Sequence, residues 1–346
     1  MRSDLVHRAA APLDMHVDFI LQRRLFRYRP TRAHAAGLLG QPLFWHCDLP
    51  RMQQAYYAGA ILGVHYWPWQ SERAWKECNR QIDLIDALCE HPATRRVRSF
   101  ADWHYAKEQN QMAFGVGIEG AHQLNGKLER VQELARRHVT YLTLTHFSKN
   151  DAVTPCMGRG ANEQDGLTGW GHELVHELNR TGIAVDVAHV NGPGVLDVCN
   201  ISRAPVLATH TCARGLYPSA RGIGDAQIDA IAATGGVIGV IFGTHFLCGK
   251  RKATTHVIAD HIDYIVQRVG VDHVGFGSDY DGWLAAIPSD QRDCRDSHKL
   301  TDILLERGYS SHDIYKMYRG NTLRALRRVE AIARQSAAPW PSNSSA

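Results

Sequence analysis

The sequence lacks the signals of several large protein classes. Its eight cysteines are scattered and no Cys-x-x-Cys pair occurs, which disfavours a zinc ribbon or a thioredoxin-type site. No apolar run reaches about 18 residues, the length that a membrane-spanning helix requires. The amino terminus has no basic segment followed by a long apolar stretch, so we expect no signal peptide. A cytoplasmic location with reduced thiols is the simplest interpretation.

The sequence also has little net charge. The 346 residues carry a formal net charge of +4, and the basic residues are spread along the chain. This charge gives no reason to expect nucleic acid or a membrane as a partner, and it leaves a small-molecule substrate as the expected one. No feature of the sequence determines the oligomeric state, and a homodimer is compatible with it.

Short apolar runs alternate with helical patterns from residue 13 onward, which is typical of a parallel sheet with crossover helices. The runs are nearly continuously apolar and rich in Val, Ile and Gly, as expected of strands that are covered on both faces. Eight runs predict an α/β fold of the (β/α)₈ TIM-barrel type. They lie at 13–18, 60–67, 112–119, 140–146, 183–189, 205–210, 236–242 and 273–279.

Apolar periodicity predicts the helices that connect these strands. The predicted helices lie at 71–90, 128–137, 171–180, 225–234 and 255–269, with Gly182 as a stop signal after the third and Asp225 as the N-cap of the fourth.

Two segments fall outside the alternation of strands and helices. One is an insertion at 20–57 after the first strand, and the other is a C-terminal helical extension at 311–336. We expect one barrel domain over residues 1–338. Residues 339–346 are rich in Pro and Ser and are predicted to be a disordered tail.

Five of the apolar runs end in side chains that can bind a metal ion. These side chains are His16 with Asp18, then Glu119, His189, His210 and Asp279. Strands of a barrel present their chemistry at the carboxyl-terminal rim, so the five endings are expected to converge there. Each residue alone is compatible with a structural role, but the combination favours a metal site. His and carboxylate ligands suit Zn²⁺, with Mn²⁺, Fe²⁺ and Co²⁺ as alternatives.

Other polar residues near the predicted rim receive structural interpretations. We expect the remaining rim histidines to line or support the pocket; they are His65, His104, His122 and His245. Asp186 lies an odd number of residues from His189 and should point to the other face of the strand. Asp281 precedes Gly282 and is predicted to be a turn residue.

An ordered set of short motifs from about residue 13 to 326 resembles the membrane dipeptidase (renal dipeptidase) family of zinc peptidases, which belongs to the amidohydrolase-like barrels. The motifs include His16-Val17-Asp18, Gly117-Ile118-Glu119-Gly120-Ala121-His122, Val185-Asp186-Val187-Ala188-His189, Ala208-Thr209-His210 and Gly277-Ser278-Asp279-Tyr280. Two positions depart from the family pattern: Met15 replaces the usual Gly before His16, and Gly222 replaces the usual Asn after Arg221.

The resemblance implies two zinc ions bridged by Glu119. His16 and Asp18 would complete one site, and His189 and His210 the other. The resemblance also implies that His146 contacts the scissile carbonyl, that Arg221 holds the terminal carboxylate and that Asp279 handles the proton. Arg214 lies close in sequence and is an alternative for the arginine.

The expected activity is hydrolysis of a dipeptide amide bond by a hydroxide that bridges the two metals. A first alternative is a related hydrolase of a non-dipeptide amide or lactam, since the same groups would serve it. A second alternative is a non-catalytic metal-binding barrel. A site with a carboxylated bridging lysine is disfavoured because no predicted strand ends in Lys.

Overall fold

Eight parallel strands form the wall of a barrel in the computed structural model, which describes residues 2–35, 44–66 and 70–337. The eight wall strands follow one another in the order β1, β2, β4, β5, β6, β7, β9, β10, and β3 and β8 pair outside this path with β4 and β7. The ten strands are β1 Leu13–Val17, β2 Gly59–Val64, β3 Thr94–Arg96, β4 Met112–Glu119, β5 Tyr141–Thr143, β6 Ala184–Asp186, β7 Leu207–Ala213, β8 Gly222–Ile223, β9 Val237–Val240 and β10 Val274–Phe276.

The first strand meets the segment that follows the last one. Val17 forms a parallel bridge with Tyr280, and the amide of Asp18 donates to the Tyr280 carbonyl at 2.8 Å. The amide of Asp279 donates to the His16 carbonyl at 3.1 Å. These contacts bring the two ends of the sheet together, and the predicted TIM-type barrel is confirmed.

Helices surround the barrel on its outer face. The described residues form α1 Arg2–Ala10, α2 Phe19–Phe26, α3 Leu49–Gln54, α4 Glu72–Leu88, α5 Phe100–Glu108, α6 Arg130–Arg136, α7 Gly169–Thr181, α8 Gly192–Ile201, α9 Asp225–Ala233, α10 Thr244–Cys248, α11 His256–Val269, α12 His298–Glu306, α13 Ser311–Tyr315 and α14 Asn321–Ala337. No helix among these residues has the length and apolarity needed to cross a bilayer.

The helix boundaries agree with the sequence signals in most places. Thr168 caps α7 by accepting a hydrogen bond from the Gly171 amide, and Gly182 ends the helix with a φ of 79°, as predicted. The prediction for Asp225 was wrong by one position, because Gly224 is the N-cap and Asp225 is the first helical residue. The Asp225 carboxylate instead accepts a hydrogen bond from the Tyr264 hydroxyl at 2.6 Å.

The insertion and the extension contain regular structure. Residues 20–57 include most of α2 and all of α3, and residues 36–43 of this insertion lie outside the described residues. The extension consists of α13, a π-helical turn at Lys316–Gly320 and α14, which packs against α5 and α7. The predicted tail at 339–346 also lies outside the described residues, so its disorder and the domain boundary stay predictions.

Met15, one of the departures from the family pattern, fills the barrel interior. It is fully buried, and its Sδ atom lies where side chains on two neighbouring glycines would be. A Cβ atom on Gly275 would lie 2.4 Å from this sulfur, and one on Gly239 would lie 3.2 Å from it. The glycines of β9 and β10 therefore make room for the larger residue on β1.

Candidate metal centre

The first candidate ligands come from the end of β1. The Nε2 atom of His16 lies 3.3 Å from the Oδ1 atom of Asp18, and both side chains are buried. The other ring nitrogen of His16 pairs with the Tyr141 hydroxyl at 2.5 Å, which orients the ring. Gly63 of the neighbouring strand β2 leaves room for the carboxylate, because a Cβ atom there would lie 1.9 Å from Asp18 Oδ1.

Glu119, the last residue of β4, occupies the middle of the cluster. Its Oε1 atom lies 3.0 Å from His189 Nε2 and 3.3 Å from His210 Nε2. The same oxygen lies 3.6 Å from His16 Nε2. The carboxylate is therefore within reach of ligands from β1 on one side and from the β6 and β7 region on the other.

His189 and Asp279 lie three residues beyond the strands that were predicted to end in them, as does His146, which follows the end of β5 at Thr143. Strand β6 ends at Asp186, and His189 follows in a turn with a φ of 68°. Strand β10 ends at Phe276, and Asp279 follows with a φ of 59°. The predicted ends of these strands were wrong by three residues, because the chain leaves the sheet at Asp186 and at Phe276 and turns towards the cluster. The turns nevertheless bring both side chains to the cluster.

The candidate ligand atoms form three groups within which all atoms lie within 4.8 Å of one another. The groups are His16 with Asp18 and Glu119, then Glu119 with His189 and His210, and His16 with His210 and Asp279. Buried atoms at the centre have no hydrogen-bond partner among the described residues; these atoms are His16 Nε2, Asp18 Oδ1 and Glu119 Oε2. Unpaired buried polar atoms are costly, so the donor set fits divalent cations that would satisfy them.

Burial and mutual charge shift the pKa values of the cluster residues in both directions. Burial raises the pKa of Glu119 to about 8 and raises the pKa of Asp279 well above its usual value, because the charged carboxylates are far from water and close to each other. Burial lowers the pKa of both His189 and His210 well below the usual value, which keeps them in the neutral form that binds metal. For His16, burial acts to lower the pKa, but the carboxylates of Asp18 and Glu119 outweigh it and raise the pKa to about 10.

The buried carboxylate of Asp186 orients His210 through the hydroxyl of Thr209. Thr209 pairs with His210 Nδ1 at 2.9 Å and donates its hydroxyl to Asp186 at 2.9 Å. The Thr143 hydroxyl donates to the same carboxylate oxygen. Asp186 is therefore not among the grouped ligand atoms, as predicted, but it orients a candidate ligand through Thr209.

A second buried carboxylate, Asp14, supports Asp279. Asp14 accepts hydrogen bonds from the amide of Ser278 at 2.9 Å and from the Ser278 hydroxyl. Ser278 immediately precedes Asp279, so this pair ties β1 to the turn that carries the proposed proton-handling residue. No local sequence signal predicts this role of Asp14, since its partner Ser278 is 264 residues away.

A cavity of about 420 Å³ opens over the cluster. This volume lies within the usual range for small-molecule sites, about 300–1,000 Å³. Its polar lining includes six of the residues selected from the sequence, which are Asp18, Glu119, His146, His189, Arg221 and Asp279. The buried side chains of His16 and His210 complete the cluster beneath it. A larger depression of about 700 Å³ near α1 is lined by none of the predicted site residues.

His146 and Arg221 are the non-ligand polar groups expected from the resemblance. The Nε2 atom of His146 lies 3.7 Å from Glu119 Oε1, and burial lowers the His146 pKa well below its usual value. Arg221 is 2% exposed and donates a hydrogen bond from Nη2 to the His210 carbonyl at 3.0 Å. No carboxylate of the described residues forms an ion pair with this guanidinium, so an anion in the cavity could pair with it.

The remaining rim histidines separate into two kinds. His65 lines the cavity, with its Nδ1 atom 3.7 Å from Glu119 Oε2. His122 donates from Nε2 to the Ser148 carbonyl at 2.9 Å and has a structural role. His104 and His245 do not line the cavity.

Asp281 is buried at a φ of 67° and accepts hydrogen bonds from the amides of His46 and Cys47, in agreement with its predicted structural role.

Comparison with known proteins finds one family model over nearly the whole chain. The model described as membrane dipeptidase (peptidase family M19) matches residues 2–339. Dipeptidase tcpJ from Claviceps purpurea is 29% identical over 354 residues, which cover 96% of this chain and 76% of the relative.

Two solved structures show the same fold. The dipeptidase AC, a metallopeptidase of family M19, is 25% identical with a TM-score of 0.82, and the match covers 92% of this chain and 98% of the other. The probable dipeptidase PvdM from Pseudomonas aeruginosa is 20% identical with a TM-score of 0.83, and the match covers 96% and 98% of the two chains.

Proposed function

Because the chain belongs to the membrane dipeptidase family, it is a metal-dependent dipeptidase, and we propose that two zinc ions bridged by Glu119 serve its reaction. His16 and Asp18 would hold one ion with Glu119, and His189 and His210 would hold the other. The observation that carries the proposal is the position of Glu119 within two of the three ligand groups. Neutral imidazole and carboxylate are the ligands that Zn²⁺ takes at catalytic sites.

The ions would supply a nucleophile and an electrophile. Bound divalent cations lower the pKa of a water molecule from about 15.7 towards about 7 and polarise a carbonyl oxygen. This chemistry would let a peptide bond be attacked by water at neutral pH.

The protein's own side chains would handle the substrate and the proton. Asp279 would accept the proton of the attacking water and pass it to the leaving amine. His146 is buried and neutral, so it would donate its N–H hydrogen bond to the developing oxyanion. Arg221 would bind the C-terminal carboxylate of the dipeptide with the two parallel N–H groups of its guanidinium.

We also propose a cytoplasmic location. All eight cysteines are unpaired, which suits a reducing compartment. Assembly as a homodimer stays a prediction.

The test combines a metal titration with a comparison of substrates. Metal-free protein is titrated with Zn²⁺ while hydrolysis of dipeptides with free and amidated C-termini is followed. We expect activity to saturate at two equivalents of zinc. We also expect kcat/KM to be at least about 30-fold higher for the free C-terminus, which corresponds to about 2 kcal/mol for one lost charged contact.

Four outcomes would contradict parts of this proposal. Full activity at one equivalent would rule out a binuclear requirement. Equal rates on free and amidated dipeptides would remove the role of Arg221. Turnover of lactams or other amides without turnover of dipeptides would favour the alternative hydrolase. If the protein binds no metal and turns over none of these substrates, a non-catalytic barrel would be favoured.

A further inference from the structure

A second guanidinium, that of Arg24, lines the cavity above the metal centre. Arg24 belongs to α2, which begins directly after the candidate ligand Asp18. The side chain is partly buried, and its Nη1 atom is 3.4 Å from the carbonyl oxygen of His65. Its guanidinium carbon lies 5.2 Å from the centre of the Tyr66 ring, and this stacking holds the group at the cavity wall.

No carboxylate of the described residues forms an ion pair with Arg24. One weak hydrogen bond to a carbonyl leaves most of the N–H groups of the guanidinium available. The Arg73 side chain lies on the same Tyr66 ring at 6.0 Å and adds to the positive potential at this part of the cavity wall. A guanidinium in this setting is a binding site for an anionic group.

Arg24 and Arg221 lie on opposite sides of the barrel mouth. Arg24 contacts the carbonyl of His65, which follows β2, and Arg221 contacts the carbonyl of His210 in β7. Strands β2 and β7 are four positions apart in the path of eight strands, which is half of the way around the barrel. Glu119 on β4 and the ligands beside it lie between the two guanidiniums.

The charges in the cavity favour a substrate with two anionic groups. The acidic side chains of the lining are Asp18, Glu119 and Asp279. Two divalent cations together with the nucleophilic hydroxide would balance these three carboxylates, and both guanidiniums would then remain without a counter-charge. A neutral dipeptide has one terminal carboxylate and would pair with only one of them.

We propose that Arg24 binds a side-chain carboxylate on the N-terminal residue of the substrate, so that the preferred substrates are dipeptides beginning with Asp or Glu. This inference rests on the proposed function, in which Arg221 holds the C-terminal carboxylate and the scissile amide lies at the metals. The N-terminal residue is then directed towards the Arg24 side. Leu21 and Leu25 line the cavity from the same helix and would contact the methylene groups of such a side chain.

The test compares each acidic dipeptide with its uncharged amide analogue. The zinc-loaded protein is assayed with Glu-Ala against Gln-Ala and with Asp-Ala against Asn-Ala. We expect kcat/KM to be about tenfold higher for the acidic member of each pair, which corresponds to about 1.4 kcal/mol for the charged hydrogen bond that the amide analogue lacks. Arg24→Gln should bring this ratio close to one, and Arg24→Glu should invert it.

Arg23→Gln is the matched control, because it removes the same charge from the same helix at a position outside the cavity lining. This variant should keep the wild-type ratio. An equal fall of the acidic-to-amide kcat/KM ratio in Arg23→Gln would mean that the overall positive charge of α2 causes the preference. This result would overturn the assignment to Arg24. A wild-type ratio near one would overturn the inference while leaving the dipeptidase proposal intact.

A binding measurement makes the result independent of turnover. Calorimetric titration of zinc-loaded Asp279→Asn, in which proton transfer is blocked, should give a Kd for Glu-Ala about tenfold lower than for Gln-Ala. Equal affinities, or no measurable binding of either dipeptide, would contradict the role of Arg24. Absence of turnover in the wild-type protein together with the expected difference in Kd would count against the proposed function alone.

Discussion

Glu119 is the residue on which the candidate centre depends most. It is 3% exposed, and its Oε1 atom lies within 3.7 Å of four histidine side chains, which are those of His16, His146, His189 and His210. A carboxylate has two oxygens and can therefore contact two cations at once. Gln has nearly the same shape but only one acceptor oxygen and no charge.

We expect Glu119→Gln to abolish turnover and to weaken metal loading, because one neutral amide oxygen cannot bridge two cations. The measurements are kcat for a dipeptide and metal content by elemental analysis after dialysis. Glu173→Gln, which changes an exposed carboxylate on α7, is the control and should retain both properties. Retained activity with full metal content in Glu119→Gln would contradict the bridging role.

Arg221 provides a second residue-scale prediction. We expect Arg221→Lys to raise KM for dipeptides by about tenfold or more while the midpoint of thermal unfolding changes little, because an ammonium group cannot form two parallel hydrogen bonds to a carboxylate. Arg214→Lys is the matched control, since Arg214 is the alternative named from the sequence and pairs with Glu163 at 3.6 Å. A raised KM in Arg214→Lys with an unchanged KM in Arg221→Lys would transfer the carboxylate contact to Arg214.

At the scale of elements, helix α1 shows a feature that the sequence pattern did not predict. His7 on this helix is 1% exposed and uses both ring nitrogens, with Nδ1 2.7 Å from the Thr301 hydroxyl and Nε2 3.1 Å from the Ala55 carbonyl. The neutral ring donates from Nε2 and accepts at Nδ1, and it thereby joins α1 to α12 and to the end of α3. Burial lowers the pKa of His7 from 6.5 to about 4.

We expect this histidine to make stability depend on pH. The unfolded chain binds a proton at His7 more readily than the folded chain, so the stabilising contribution is complete above pH 6.5 and is lost as the pH falls towards 4. At pH 5 the loss is about 2 kcal/mol of unfolding free energy. Urea unfolding at pH 8 and pH 5 should show this difference in the wild type and a smaller one in His7→Gln.

The exposed His312 provides the control for this experiment, because His312→Gln should keep the pH dependence of the wild type. If His7→Gln and the wild type lose the same free energy of unfolding between pH 8 and pH 5, the burial of His7 does not govern this dependence.

At the scale of the whole molecule, the candidate ligands tie distant parts of the barrel together. They come from β1, β4 and β7 and from the turn after β6, and only the folded chain brings them within reach of one another. A cation bound there stabilises the folded state alone. The paired Asp14 and Ser278 close the barrel close to the same point.

We expect zinc to raise the midpoint of thermal unfolding by several degrees relative to chelated protein, since a free concentration of 1,000 times Kd contributes about 4 kcal/mol. The measurement is a calorimetric scan with Zn²⁺ and with a chelator. Glu119→Gln should show a much smaller difference between the two scans. Identical midpoints for the wild type with and without zinc would argue against a site formed by folding.

The barrel and the family were predicted from the sequence, and both are confirmed. Strands that are buried on both faces produce unbroken apolar runs, so eight such runs are visible without coordinates. The turn after β6 was not visible, because Val187 and Ala188 continue the apolar strand pattern past the end of the strand. The end of β10 was predicted at Asp279, although the strand ends before Gly277 and Ser278. The roles of the site residues stay predictions, although the structure brings all of them into one cavity or directly beneath it.

The sequence by itself determined the kind of barrel through its apolar periodicity and the candidate ligands through the residue types at strand ends, and its ordered motifs carried the resemblance to the dipeptidase family. Tertiary structure alone decided that Asp186 and Asp14 support the cluster and that Arg24 faces Arg221 across the cavity. These relations join residues far apart in the chain through hydrogen bonds and barrel closure, and no local pattern specifies which loops meet at the rim.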